Sequence, residues 1–244
     1  MSVLILGCTS PIAQSVAAEF ARRKINIHFA ARSLDAANKL CNDFSVRYSV
    51  SCKAWEFDAR NYKTHKKFIE DVFSDDDIEC ILIAFGYLGE QEKSERDISE
   101  AQKVIETNYT GAVSVCELAA ERFLEKGRGT IAAISSVAGD RGRKSNYIYG
   151  SAKSALSTYL SGLRNRLYQN NIHVLTIKPG FVDTPMTFGM KIPRIILALP
   201  ERVGRDIYKA IVKRKNILYT PFYWRWIMLI IKLIPEFVFK KLSL

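Results

Sequence analysis

Apolar residues over most of the chain come in short continuous runs, and between these runs the apolar positions recur at helical spacing. Ser2 to Leu6, Ile25 to Ala31, Val50 to Phe57, Ile78 to Phe85, Gly129 to Ser135 and Ile172 to Lys178 are aliphatic or β-branched and read as strands. Pro11 to Lys24, Ser33 to Phe44, Tyr62 to Phe73, Asp97 to Lys126 and Tyr147 to Asn170 read as helices. Strands that are apolar on both faces and separated by helices predict a parallel sheet covered on both sides, a doubly wound α/β domain. No fixed-period repeat and no Gly/Ser/Pro linker divides residues 1–220, which read as one domain, with residues 221–244 as an amphipathic tail.

Composition narrows the class. The 244 residues are 48% hydrophobic, enough for one substantial core, and the 13 glycines and 7 prolines are too few for a low-complexity or collagen-like chain. Cys8, Cys41, Cys52, Cys80 and Cys116 are scattered, with no CxxC spacing, and read as reduced thiols of a cytoplasmic protein. His28, His65 and His173 stand apart from one another and from acidic or cysteine clusters, so no metal site is expected. The first apolar run, Val3 to Leu6, is too short for a signal peptide and lacks a basic flank.

The formal charge of +11 suggests nucleic acid until it is located. Residues 191–244 carry 12 Lys and Arg against 3 Asp and Glu, whereas residues 1–190 carry 24 against 22. The positive end is interleaved with aromatic and aliphatic bulk, which does not suit a nucleic-acid groove. Thirteen residues from Phe222 to Ile234, ended by Pro235, fall short of a bilayer span. As a helix they place Arg225 and Lys232 on one face and Trp224, Trp226, Ile227, Ile230 and Ile231 on the remainder. Two readings stay open: a helix lying in the membrane interface, aided by Lys213-Arg214-Lys215 and Lys240-Lys241, or a helix packed on the core or on a second subunit.

Candidate chemistry lies at the strand ends, where parallel sheets bind their ligands. After the first strand comes Gly7-Cys8-Thr9-Ser10-Pro11-Ile12-Ala13, with Gly7 for a sharp turn, Ser10 as a helix N-cap and Pro11 at the first helical position. The helix start would face a dinucleotide pyrophosphate, although strict GxGxxG spacing is absent. Tyr149 and Lys153 are four apart and share a helix face, while Ser136 ends the preceding strand. A lysine cation near a phenol favours the phenolate, which makes Tyr149 a candidate general acid or base. At the end of the second strand Ala31 offers no carboxylate, and Arg32 can pair with a 2′-phosphate, so NADPH is favoured and NADH remains usable.

On these residues the sequence resembles the short-chain dehydrogenase/reductase family, over nearly the whole chain, which implies a Rossmann-type fold. The resemblance implies that Ser136 holds the carbonyl oxygen, Tyr149 donates the proton, and Lys153 lowers the tyrosine pKa and contacts the nicotinamide ribose. Asn108, in Glu106-Thr-Asn-Tyr-Thr110, would support a water relay to Lys153. It also implies cofactor contacts from Gly7, Thr9, Ser10, Ile12, Ala84 and Gly86, from Asp58 at the adenine, and from Pro179, Val182 and Thr184 near the carboxamide. The chain departs from the family pattern twice. Pro11 and Ala13 stand where the phosphate loop has its second and third glycines, and Ile83-Ala-Phe-Gly86 stands where Asn-Asn-Ala-Gly is usual.

Ala84 to Glu90, Asn108 to Val115, Arg143 to Ser151 and the stretch from Thr220 to Leu242 are similar to the decaprenylphosphoryl-2-keto-ribose reductases. That likeness implies reduction of a keto-sugar carried on a polyprenyl phosphate, a partner oxidase that first makes the ketone, and a place on the inner face of the cell membrane. A reductase of another lipid or small carbonyl compound, or a catalytically idle nucleotide-binding scaffold, is the alternative. The family habit of pairing through two long helices implies a homo-oligomer here through 97–126 and 147–170. Met186 to Pro200 reads as a lid over the substrate.

Overall fold

A computed structural model describes residues 2–190 and 192–242. The six expected strands form, with a seventh, one parallel sheet in the order β3-β2-β1-β4-β5-β6-β7. They are β1 (Ser2–Leu6), β2 (Asn26–Ala31), β3 (Cys52–Glu56), β4 (Ile78–Ile83), β5 (Gly129–Ile134), β6 (Ile172–Pro179) and β7 (Ile217–Thr220). The helices are α1 (Pro11–Ala21), α2 (Leu34–Tyr48), α3 (Tyr62–Asp75), α4 (Gln91–Arg96), α5 (Ile98–Ile105), α6 (Gly111–Lys126), α7 (Tyr147–Leu167), α8 (Pro200–Val212), α9 (Trp224–Leu233) and α10 (Glu236–Phe239). Alternation explains the unbroken apolar runs. Val3 and Ile5 of β1 face Val16, Phe20, Phe44 and Ile207, on the side of α1, α2 and α8. Leu4 and Leu6 face Phe68, Ile69, Val115, Phe123 and Leu160, on the side of α3, α6 and α7. The chain winds outward from β1 to β3 and then returns to β4 on the other side of β1. All carboxyl ends therefore lie on one edge, with the order reversing between β1 and β4, where such sheets open a crevice.

Several boundaries differ from expectation, each for a local reason. The helix expected over 97–126 is α5 and α6 joined by a π-helical segment, Glu106–Thr110. The Asn108 side chain bonds back to the Val104 carbonyl at 2.8 Å, an insertion of the kind that distorts the regular ladder. Helix α4, helix α8 and the four-residue edge strand β7 were not expected from the pattern. Among the described residues, 186–190 and 192–200 are mostly irregular, with short turns at Pro185–Thr187 and Arg194–Ile196 and a bridge from Val182 to Ala198.

The three histidines are held by the fold. His28 accepts from Trp55 Nε1 at 3.0 Å, His65 lies 2.9 Å from both Ser114 Oγ and the Asp58 carbonyl, and His173 meets the Lys215 carbonyl at 2.8 Å.

The C-terminal helices lie on the body of the protein. Trp224 and Met228 are buried with Val137, and Phe181, Ile196, Tyr219, Ile227 and Ile231 pack around them. Arg141 donates to the carbonyls of Ile231 and Ile234, both at 2.6 Å, and its guanidinium sits 3.6 Å above the Phe239 ring. The expected apolar stripe is thus divided between two sides. Trp224, Ile227 and Ile231 turn inward, while Trp226 and Ile230 join Leu229, Leu233 and Phe237 as exposed apolar residues. Among the described residues no helix is long and apolar enough to cross a membrane.

Candidate active site

The turn after β1 is shaped by Gly7. Its φ is +81°, and a Cβ there would lie 2.5 Å from the Phe85 amide nitrogen, so only glycine fits against the segment leaving β4. The Gly7 and Cys8 amides both donate to the Ala30 carbonyl, at 2.8 and 3.2 Å, which ties the turn to β2. Ser10 occupies the N-cap position in extended conformation, but its side chain makes no capping bond. The amides of Ile12 and Ala13, second and third in the helix, have no i−4 carbonyl inside it and point toward the crevice end of α1. Losing the Pro11 donor therefore removes one hydrogen bond from this cradle and leaves the Ile12 and Ala13 donors in place.

Around the turn stand the other residues expected to hold a nucleotide. Thr9, Arg32 and Asp58 are exposed at the ends of β1, β2 and β3. Asp58 Oδ1 accepts from the Arg60 amide at 3.0 Å. Ser33 caps α2 by accepting from the Ala36 amide at 3.2 Å, leaving Arg32 next to a fixed helix start. Ala84 continues the pairing of β4 by donating to the Leu6 carbonyl at 2.8 Å. Pro179 ends β6; Val182 is buried, and the Thr184 hydroxyl donates to the Val182 carbonyl at 3.3 Å. A turn that only glycine can make, two amide donors at a helix start and a cation at the end of β2 fit a phosphorylated dinucleotide.

The polar centre lies between β5 and α7. Ser135 bonds to the Lys153 carbonyl at 2.9 Å and to Ser157 Oγ at 2.7 Å, pinning the strand end to the helix. The turn Val137–Gly139 abuts α7 so closely that a Cβ on Gly139 would lie 2.7 Å from the Lys153 carbonyl carbon. This contact brings Ser136, Tyr149 and Lys153 together. Ser136 Oγ accepts from the Ala138 amide at 3.0 Å and is also hydrogen-bonded to the Tyr149 hydroxyl. Lys153 Nζ donates to the Ile134 carbonyl at 2.8 Å and lies 5.7 Å from the centre of the Tyr149 ring. Asn108 joins them at Gly86, where a Cβ would sit 3.0 Å from Asn108 Oδ1 and 3.5 Å from Lys153 Nζ. Asn108 also clasps Tyr87, donating to its carbonyl at 2.6 Å and accepting from its amide at 3.2 Å.

Burial governs the protons here. It pushes the Tyr149 pKa up to about 12, the Ser136 hydrogen bond offsetting only part of the effect. It pulls the Lys153 ammonium down to about 7. The lysine cation, expected from the Tyr149/Lys153 spacing to lower the tyrosine pKa, does not do so: desolvation of both groups reverses that direction, with Nζ turned to the Ile134 carbonyl. Tyr149 therefore holds its proton at neutral pH, as a general acid must.

Sequence reasoning missed a second polar cluster beside this one. The Asp140 carboxylate is buried, accepting from Lys178 Nζ at 2.5 Å and from the Tyr219 hydroxyl at 2.7 Å. Its carboxylate joins the loop after Ser136 to β6 and β7. No local pattern announces it, because its three residues are 38 and 79 positions apart.

Comparison with known proteins agrees with this geometry. Residues 1–191 match the short chain dehydrogenase family. An uncharacterized oxidoreductase of Mycobacterium tuberculosis is 32% identical over 98% of this chain and 96% of its own length. One of Streptomyces coelicolor is 31% identical over 99% and 95%. A short-chain dehydrogenase from Sphingobium yanoikuyae, solved in complex with NADPH, superposes with a TM-score of 0.84 at 20% identity, over 94% of this chain and 92% of that one. The chain belongs to the short-chain dehydrogenase family and so to the NAD(P)-dependent oxidoreductases.

Proposed function

We propose that this short-chain dehydrogenase is an NADPH-dependent ketoreductase whose substrate is a keto-sugar carried on a polyprenyl phosphate, met at the inner surface of the cell membrane. The observation that carries the reductase reading is the meeting of Ser136, a protonated Tyr149 and Lys153 at the carboxyl edge of the sheet. A nicotinamide cofactor, when bound, would supply the hydride. Gly7, Thr9, Ser10 and the amides of Ile12 and Ala13 would hold its pyrophosphate, Arg32 its 2′-phosphate and Asp58 its adenine; Ala84, Gly86, Pro179, Val182 and Thr184 would line the rest of the site. Ser136 orients the carbonyl oxygen, and Tyr149 gives it the hydroxyl proton. Lys153 and Asn108 stand behind Tyr149 and would return that proton. NADPH is favoured over NADH by Arg32, by the missing carboxylate at Ala31, and by the fold neighbour from Sphingobium yanoikuyae that was solved with NADPH.

The lipid-linked part of the reading is supported by the outer side of the C-terminal helices. Trp226, Leu229, Ile230, Leu233 and Phe237 are exposed beside Arg225 and Lys232, and Phe188 and Ile195 of the segment after Thr184 are exposed as well. Apolar residues rimmed by cations suit an anionic bilayer surface. An oxidase that makes the ketone would be the partner reaction, and a second copy would pack on the outer faces of α6 and α7.

The test has two parts. Tyr149→Phe should lower the rate of ketone reduction by about 10²- to 10⁴-fold in a protein that still melts cooperatively; unchanged turnover would defeat the reductase mechanism. Extraction of radiolabelled polyprenyl sugars from cells lacking the protein should reveal a shifted sugar-lipid pool. An unchanged pool would leave a reductase of another lipid or small carbonyl compound.

A further inference from the structure

Two arginines, two residues apart, sit in the loop between Ser136 and α7 and are treated in opposite ways. Arg141 is fully employed, with two tail carbonyls, the Glu236 carboxylate at 2.9 Å and the Phe239 ring as partners. Arg143 is about as enclosed but poorly matched. Its Nη2 lies 3.7 Å from the thioether sulfur of Met228, a weak acceptor, and its Nε is buried without a hydrogen-bond partner. The nearby acid is Asp140, both of whose oxygens are already taken by Lys178 and Tyr219.

Other unmatched polar atoms lie on the elements around it. Among the described residues four buried side-chain nitrogen or oxygen atoms lack a partner, and three of them are Arg143 Nε, Asn146 Oδ1 and Trp224 Nε1. Asn146 is the N-cap residue of α7, three positions before Tyr149. Trp224 and Met228 are one turn apart on α9 and pack with Val137, the residue that follows Ser136. The Trp224 indole is pressed against Gly180, where a Cβ would come within 1.8 Å of Nε1. Lys178, Arg143 and Asp140 together carry one net positive formal charge, and all three are at least partly buried. A half-buried cation whose Nε is sealed without a partner, on a loop next to further unpaired polar atoms, is costly unless something anionic completes it.

We propose that Arg143, assisted by Trp224, is the subsite that recognises an oxyanion carried by the carbonyl substrate. The proposal rests on the ketoreductase reading of the adjoining site and adds to it the residues that would read the substrate's anionic group, a phosphate or a carboxylate. The planar guanidinium suits two oxygens of such a group, and the Trp224 N–H suits a third. Burial also lowers the Arg143 pKa from the ordinary guanidinium range, a desolvation that an anion would relieve.

Calorimetric titration of the full chain saturated with NADP⁺ tests this, using farnesyl phosphate, farnesoate, farnesol and inorganic phosphate as probes. Farnesyl phosphate or farnesoate should bind about tenfold or more tightly than farnesol. Arg143→Gln should erase that preference, Arg143→Lys should keep part of it, and Trp224→Phe should weaken the anion by about threefold. The proposal is overturned if the wild-type protein shows no preference for the anion, or if Arg143→Gln keeps it while still binding NADPH. Should Arg143→Gln fail to fold, the lysine and Trp224→Phe variants decide, and unchanged anion preference in both would overturn it. Inorganic phosphate binding as tightly as farnesyl phosphate, and only when Arg143 is present, would uphold the subsite and remove the lipid-linked reading.

Discussion

Replacing Lys153 by methionine should stabilise the protein at mildly acidic pH while destroying its activity. Burial draws the Lys153 pKa from 10.5 to about 7, so in the folded chain the ammonium is disfavoured. The unfolded chain then binds more protons than the folded one between those two values, and stability contributed by this residue rises with pH across the window. The full displacement corresponds to a cost on the order of 5 kcal/mol below pH 7, of which on the order of 3 kcal/mol is relieved between about pH 6 and about pH 9. Methionine has similar bulk and no charge, but it strands the Ile134 carbonyl that Nζ now satisfies at 2.8 Å, which costs about 1–3 kcal/mol. Lys153→Met should therefore be more stable than the wild type by about 2–4 kcal/mol near pH 6 and nearly equal to it near pH 9. Tyr149 does not blur the comparison, since its raised pKa of about 12 lowers stability only above pH 10. Urea unfolding followed by tryptophan fluorescence at both pH values gives the two differences directly. A gap between the proteins that is the same at both would refute the claim that Lys153 is desolvated in the fold.

Gly7→Ala places a Cβ 2.5 Å from the Phe85 backbone at a φ of +81° and should cost more than about 2 kcal/mol, read as a lowered melting temperature together with weaker NADPH binding. Arg32→Glu should move the ratio of NADPH to NADH dissociation constants by about tenfold or more toward NADH, measured by fluorescence titration of both nucleotides; an unchanged ratio would assign Arg32 a purely solvent-facing role.

The fold was legible because burial on both faces writes each central strand as an unbroken apolar run, as in Val3 to Leu6 and Ile78 to Ile83. Where burial is partial the pattern fades. β7 is an edge strand of four residues, with Ile217 exposed and Leu218 buried, and α8 follows an irregular stretch with no run to mark it. The catalytic candidates were legible because Tyr149 and Lys153 lie on one helix, where spacing alone puts them on one face. Asn108 was only half legible. A polar residue within a helical stretch gives no sign that it will open a π turn and clasp Tyr87 across 21 positions. The proton affinities were not legible at all, because they depend on how completely Ser135 and Gly139 close α7 onto β5. Arg143 and Trp224 escaped for the same reason: their unmatched atoms appear only when the C-terminal helix covers the loop.

That covering helix bears on where the domain ends. A boundary after residue 220 would make the remainder an appendage, removable at little cost to the body. Yet Trp224, Met228 and Phe239 are 3%, 1% and 9% exposed; the first two cover Val137 beside Ser136, and the Phe239 ring lies under the Arg141 guanidinium. At about 2–3 kcal/mol for each such buried side chain, their loss amounts to roughly 6–9 kcal/mol before the stranded Arg141 guanidinium is counted. Domains of this kind are stable by only about 5–15 kcal/mol, so a chain ending at Thr220 should be mostly unfolded or expanded at room temperature. Circular dichroism melting of the truncated and full-length proteins, with NADPH present and absent, measures this. A truncated chain melting within about 3 °C of the full-length protein would show that the helix is an attachment; unfolding would make the C-terminal segment part of the domain itself.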